Sequence, residues 1–156
     1  MEKKTFEEEI PPDLVSDFLI IKCREMGDVI TNLKLQKLLY YAQAWYLAEK
    51  DKPIFSEDFQ AWISGPVLPS QYHRFKKYEW RPILEEDLKI AINNPSIINH
   101  LDEVVDCFGV ETAASLEKMT HNELPWQEAR TGIPKEMSSN NIIKKESVDL
   151  FYKSFK

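Results

Sequence analysis

The sequence predicts a mainly α-helical fold, a compact single-domain helical bundle around a buried central helix, with one small β-hairpin. Residues 38–48 are apolar on every face of a helix, apart from Gln43 and the tyrosine hydroxyls. A helix without a polar face either spans a membrane or is covered by other elements. Residues 12–26 and 95–108 carry apolar residues at helical spacing, and only residues 53–63 contain short strand-like runs.

The central helix is predicted from about residue 31 to residue 49. Its apolar segment is much shorter than the roughly 20 residues of a membrane span, so other elements have to cover it. We expect Thr31 or Asn32 to cap its N-terminus, and residues 51–53 to end it. The pattern also places Trp45 in the core. The residues that recur on one face are Leu35, Leu38, Leu39, Ala42, Trp45 and Tyr46.

A first helix is predicted over residues 12–26, after a charged lead-in of residues 1–11 that we expect to be mobile. Pro12 suits the first helical turn, where its missing N–H is not needed, and Gly27 suits the position after the helix. The lead-in contains no apolar signal-peptide core, so we expect a cytoplasmic protein. Residues 12–156 are expected to form the single domain.

The β-hairpin is predicted from two short runs, residues 53–55 and residues 59–63, joined through residues 56–58. Such a hairpin is too small to be stable alone, so it must pack on the helices. The loop that follows, residues 64–69, is the most constrained in the chain. Gly65 lies in it before a proline, and glycine adopts backbone shapes that other residues do not.

Further helices complete the predicted bundle. The acidic run 85–87 favours a helix N-terminus before Leu88, because negative charge stabilises that end of a helix. Prolines stand at three of the other predicted starts. In chain order these helices are expected at residues 69–79, 85–92, 95–108, 112–119, 125–130 and 148–155.

Composition excludes some classes of protein. The chain has 156 residues and a formal net charge of −6, which argues against a nucleic-acid binder with a broad basic face. Its two cysteines, Cys23 and Cys107, lie in apolar helical stretches. We therefore expect two reduced, buried thiols, as is usual in the cytoplasm.

The best candidate for a reactive centre is the segment 120–126, Thr-His-Asn-Glu-Leu-Pro-Trp. His-x-Glu also begins the zinc-deaminase motif, but no cysteine follows it here, which excludes that motif. The three histidines lack the spacing of zinc ligands, and no glycine-rich phosphate loop is present. We therefore expect no catalytic residue, no metal site and no cofactor, and the protein is predicted not to be an enzyme.

A nucleophilic pair of Cys23 or Cys107 with His121 stays open, because such partners need only meet in space. An inert core thiol is favoured for both cysteines. For His121 the favoured interpretation is structural: the imidazole ties the turn by a hydrogen bond, Thr120 caps, and Trp126 packs beneath. Direct contact with a partner is the alternative.

Three blocks of the chain resemble the Panacea domain family, the SocA-like antitoxins also known as phage-associated proteins. Residues 33–45, LKLQKLLYYAQAW, resemble its opening signature. Residues 59–67, followed by Tyr72, resemble its second block, and residues 120–126 resemble its third. The blocks stand in family order and spacing, and the resemblance spans roughly residues 14–155.

The resemblance implies a helical antitoxin that neutralises a co-encoded toxin of a bacterium or prophage by direct protein binding. One branch of the family implies an alternative, a proteolytic adaptor that delivers the toxin to an ATP-dependent, ClpXP-type protease. The family has no established catalytic residues to carry over. From the residues alone, a Cys–His hydrolase is a distant alternative.

The predicted partner is a protein toxin encoded by a neighbouring gene, with a ClpXP-type protease as the partner under the adaptor alternative. Neither a membrane nor a nucleic acid is an expected partner, and the acidic net charge suits a basic toxin. Tryptophan and tyrosine are enriched at binding hot spots, and function is usually found on loops. The predicted partner-binding residues are Trp62, Gly65, Pro66, Tyr72, Thr120, His121 and Trp126.

Overall fold

The structure, a computed structural model, describes residues 9–156 and is built around one central helix. Its elements follow the chain as a row of helices interrupted once by a two-stranded antiparallel hairpin. In chain order they are α1 (Pro12–Glu25), α2 (Asn32–Lys50), β1 (Gln60–Trp62), β2 (Gly65–Val67), α3 (Pro69–Arg74), a 3-10 helix (Lys76–Tyr78), α4 (Pro95–Phe108), α5 (Ala113–His121), α6 (Leu124–Ala129) and α7 (Lys145–Lys153).

Helix α2 is the central helix that the sequence predicts. Thr31 caps it, because its hydroxyl oxygen accepts a hydrogen bond from the backbone N–H of Lys34 at 3.2 Å. Asn32 is the first helical residue instead, and its amide donates to the carbonyl of Tyr72 at 3.0 Å. The helix ends at Lys50, and Asp51 after it has a left-handed backbone conformation.

Other elements cover α2 on all sides. It packs against α1, α4, α5 and α7, and against strand β2. Leu35, Leu38 and Leu39 are fully buried, and each buried leucine contributes about 1.5–3 kcal/mol. The mainly helical, compact single-domain fold with one small hairpin is therefore confirmed. Within residues 9–156, none of the helices combines the length and apolar character that crossing a bilayer requires.

The expectation that Trp45 lies in the core is wrong. Its side chain is half-buried, and its ring packs edge-on against Tyr152 with the centroids 5.1 Å apart. Helix α7 crosses this face of α2 and covers Tyr40 and Tyr41, which are 2% and 1% exposed. Phe155, beyond the end of α7, also approaches the Trp45 ring, with centroids 6.4 Å apart, and the ring packs against the core while part of it stays in solvent.

The predicted hairpin exists, but one of its strands was assigned to the wrong residues. Strand β1 pairs with β2 across a tight turn at residues 63–64, and residues 53–55 form no strand. The buried amide of Gln43 explains this. Its Nε2 donates to the carbonyl of Phe55 and its Oε1 accepts from the N–H of Ile54, both at 2.8 Å. Backbone groups used in this way cannot also pair with β1.

The other edge of β1 is covered by a segment that the sequence did not indicate. The N–H of Ala61 donates to the carbonyl of Asn141 at 2.8 Å. The N–H of Ile143 donates to the carbonyl of Phe59 at 2.9 Å. Residues 141–143 therefore run antiparallel beside β1 as a short third strand-like piece.

The helix predicted after the acidic run 85–87 does not form, and residues 79–94 contain no helix or strand. The guanidinium of Arg24 donates to the carbonyls of Ile83 and Glu85 at 2.8 and 2.7 Å. The N–H of Ile83 donates to the carbonyl of Ile30 at 2.9 Å. Of these groups, the carbonyl of Glu85 is one that the predicted helix would need for itself, and the contacts of Ile83 fix the chain just before it.

The predicted mobile lead-in lies mostly outside the described residues, since residues 1–8 are not among them. At its end, the N–H of Ile10 donates to the carbonyl of Ile54 at 2.9 Å, and Ile10 packs against the core. The boundary of the domain at residue 12 stays a prediction.

We expect Leu39→Ala to lower the free energy of unfolding by about 2–5 kcal/mol, because it leaves a cavity under a fully buried helix. Leu84→Ala removes the same atoms from a side chain that is 66% exposed, and should change stability by less than about 0.5 kcal/mol. Urea unfolding followed by circular dichroism measures both. Equal effects of the two variants would contradict the central position of α2.

Candidate functional site

The structure brings the predicted partner-binding residues together at one place, which we call the hairpin corner. It lies where the β-hairpin and α3 meet α2 and the turn between α5 and α6. Its members are Trp62, Gly65, Pro66, Tyr72, Thr120, His121 and Trp126.

Aromatic contacts join the hairpin to the turn between α5 and α6. The indole Nε1 of Trp126 donates to the carbonyl of Trp62 at 2.8 Å. The ring of His121 stacks on the Trp126 ring, with centroids 4.1 Å apart and planes 13° from parallel. On the other side, Tyr72 meets the Trp62 ring edge-on at 4.9 Å. The predicted packing of Trp126 against His121 is therefore confirmed.

The hairpin approaches α2 so closely that only glycine fits at Gly65. Its φ is +105°, in the left-handed region that side chains disfavour. A Cβ atom there would lie 2.7 Å from Cε of Lys37 and 2.9 Å from Oγ1 of Thr120. Both neighbours are fully buried, so neither has room to move away.

Lys37 adjoins the hairpin corner, although it is not among the residues predicted from the sequence. Its side chain is 0% exposed, and its ammonium donates to the carbonyl of Pro66 at 3.0 Å. Burial lowers the pKa of the ammonium to about 7, and the carboxylate of Glu117 offsets part of this shift. The available signal is the helical spacing of this lysine from Leu33, Tyr40 and Tyr41, which places it on an apolar face of the central helix.

Burial divides the hairpin corner into two parts. Gly65, Pro66, Thr120 and Trp126 are buried. The other three members keep half-buried side chains that reach the surface, namely Trp62, Tyr72 and His121. The buried members therefore shape the corner from within, whereas the half-buried ones form its outer surface.

The predicted capping role of Thr120 is wrong. The residue lies inside α5, and its hydroxyl donates back to the carbonyl of Glu117 at 2.7 Å. The cap of α5 is Thr112, whose side chain accepts from the N–H of Ser115 at 3.0 Å. Hydrophobic periodicity alone predicts that this helix ends at Met119, and Thr120 is then expected in the turn that follows.

The imidazole of His121, the last residue of α5, stacks on Trp126 and lies near the backbone of Ile63 in the hairpin. Its Nε2 atom is buried, has no hydrogen-bond partner in the described chain, and lies 3.9 Å from a carboxylate oxygen of Glu117. Burial lowers the pKa of this imidazole, while Glu117 and the backbone of Ile63 act in the opposite direction. The ring is thus favoured in its neutral form at pH 7.

The two cysteines differ from each other. Cys23 is buried as expected, and burial raises the pKa of its thiol to about 11. Cys107 is exposed, so the expectation that both thiols are buried is wrong. It lies on the outer face of the amphipathic helix α4, whose apolar residues face the core. Between residues 9 and 156, neither cysteine has a hydrogen bond or a ring contact with a histidine.

The described residues offer little to a metal ion. No group of three or more histidine, cysteine, aspartate or glutamate side chains in residues 9–156 is placed to hold one. The half-buried carboxylate of Glu123 accepts hydrogen bonds from the hydroxyls of Tyr41 and Tyr152. Its contacts join the start of α6 and helix α7 to α2.

Comparison with known proteins places the chain in a class of antitoxins. The chain is a member of the family described as antitoxin SocA-like, Panacea domain, whose model matches residues 35–127. That span contains the hairpin, all of segment 120–126 and most of the opening signature at residues 33–45. The predicted family resemblance is therefore confirmed.

One relative is antitoxin SocA of Caulobacter vibrioides (strain NA1000 / CB15N). The two chains are 31% identical over 130 residues, which covers 76% of this chain and 69% of the relative. No solved structure matches the chain significantly.

We expect Gly65→Val to destabilise the fold more than Gly27→Val. Both glycines have a positive φ, so both variants carry a backbone strain of about 1–3 kcal/mol. Only at Gly65 does the new side chain also collide with Lys37, since nothing lies within 4 Å of a Cβ at Gly27. Thermal melts of the two variants measure the difference, and equal melting temperatures would remove the close-approach argument.

Lys37 should make the protein more stable as the pH rises from 7. Its pKa is about 7 in the folded state and 10.5 in the unfolded state, so in this window the unfolded chain binds more protons. Stability then increases by up to about 1.4 kcal/mol per pH unit. Lys37→Met should abolish this increase. Urea unfolding at several pH values inside the window tests it, and an identical slope in both proteins would show that the ammonium is solvated.

Proposed function

We propose that this protein is the antitoxin of a bacterial or prophage toxin–antitoxin pair, and that it neutralises a co-encoded protein toxin by binding it directly. The observation that carries the proposal is membership of the SocA-like antitoxin family, together with 31% identity to antitoxin SocA.

The hairpin corner is the proposed contact surface. Its three half-buried members, Trp62, Tyr72 and His121, present large rings at the surface. Buried hydrogen bonds hold these rings in place. The indole of Trp126 donates to the carbonyl of Trp62 in the hairpin, and the ammonium of Lys37 on α2 donates to the carbonyl of Pro66 in β2. A surface that is ordered before binding loses little conformational entropy when a partner docks, which favours affinity.

The proposal includes a non-catalytic role in the cytoplasm. The raised pKa of Cys23 keeps its thiol protonated and a poor nucleophile at neutral pH. Cys107 is a free, exposed thiol, which suits a reducing compartment. Direct binding at the hairpin corner requires no nucleophile, so alanine at both cysteines should leave neutralisation unchanged.

Co-expression tests the proposal. The neighbouring gene is expressed alone and together with this chain, and growth and co-purification are recorded. Growth arrest by the neighbour, relieved with formation of a stoichiometric complex, is the expected result. Relief without a stable complex, with a shorter half-life of the neighbour's product, would favour the adaptor alternative. Absence of arrest would contradict the pairing of the two genes.

Within that assay, His121→Ala should abolish neutralisation because it removes a ring from the contact surface. Its melting temperature should stay within a few degrees of wild type, since the ring is half-buried. Lys118→Ala is the matched control: it lies on the same helix and is exposed, outside the hairpin corner. A large loss of stability in His121→Ala would assign this side chain a structural role instead.

A further inference from the structure

An open cleft of about 590 Å³ lies beside the tip of the β-hairpin. Trp62 and Ile63 form its apolar side, and Ile63 is 40% exposed. The facing side consists of Ser138, Ser139 and Asn140, in the irregular stretch between α6 and α7. The cleft therefore adjoins the hairpin corner through Trp62.

The cleft carries no charged side chain among its lining residues. This contrasts with a chain in which 29% of residues are charged. Burying a charged group against such a lining would cost its hydration without giving it an ionic partner. The cleft therefore disfavours a charged side chain, and its apolar side, Trp62 and Ile63, offers a packing surface to an apolar one.

Part of the backbone along the cleft has unpaired hydrogen-bonding groups. Residues 141–143 continue directly from the cleft and already pair with β1 as a strand-like piece. In contrast, the N–H and carbonyl groups of residues 138–140 have no hydrogen-bond partner within the described chain. These unpaired groups, next to a segment that already pairs with β1, are free to hydrogen-bond to the backbone of an extended peptide.

We propose that this cleft binds an extended, uncharged segment of the toxin, which places one large apolar side chain on Trp62 and Ile63 and pairs with the backbone of residues 138–140. The inference rests on the proposed function for the identity of the partner. It adds a second part of the contact surface, next to the rings of the hairpin corner.

A selection of short random peptides displayed on phage, with the purified full chain as bait, tests the cleft without any toxin. We expect enriched peptides to contain a large apolar residue and few charges. Ile63→Asp should weaken their binding at least about ten-fold, because it puts a carboxylate on the apolar side of the cleft. Ser138→Trp should do the same by filling the cleft.

The matched control is Leu150→Asp, which makes the same kind of change at a side chain that is 76% exposed on α7. It should leave peptide binding unchanged, and all three variants should melt within about 3 °C of wild type. Failure to enrich any peptide, enrichment of highly charged peptides, or equal binding by Ile63→Asp would overturn the inference.

The enriched peptide is then added to the complex with the neighbouring gene's product. Displacement of the toxin, and weaker toxin binding by Ile63→Asp, would support the cleft as part of the interface. A toxin complex that forms equally well with Ile63→Asp would overturn this inference and leave the proposed function intact. A neighbour that neither arrests growth nor binds would instead refute the proposed function, whatever the peptides do.

Discussion

The rest of the structure depends on the burial of α2 on every side. A polar side chain on such a helix cannot reach water, and an unpaired buried polar group costs about 1–3 kcal/mol. The amides of α2 therefore bond to the backbone of the surrounding loops. Gln43 holds residues 54–55, and Gln36 accepts from the N–H of Leu68 at 2.8 Å. The central helix thus determines the course of the chain on both sides of the hairpin.

Lys37 extends this principle to a charged group. A buried ammonium with one carbonyl partner costs stability near neutral pH, because the lost hydration is only partly replaced. The hydrogen bond from Lys37 to the carbonyl of Pro66 nevertheless fixes β2 against α2. At this point the two elements are so close that a side chain at Gly65 has no space. The hairpin is therefore held in one position, and the half-buried rings of the hairpin corner with it.

The sequence predicts which residues make up the candidate site, but not which of their side chains face solvent. Turns, prolines and aromatic residues mark segment 120–126 and the hairpin as candidate loops. The structure brings these two parts of the chain together. The sequence does not tell which side of a tryptophan faces solvent. Trp126 points inward and Trp62 partly outward because their neighbours differ in space. Sequence patterns do not reveal the burial of Lys37 either, because lysine is ordinarily a surface residue.

The sequence by itself determined the helices at both ends of the chain, the central helix and the helix over residues 95–108. Helical periodicity and capping are local properties, readable from neighbouring residues. The tertiary structure decided which segment pairs with β1, why residues 79–94 stay irregular, and how far Trp45 and Cys107 are buried. These outcomes depend on groups distant in sequence, such as an amide on α2 or a guanidinium on α1, which compete for the same backbone hydrogen bonds and surface.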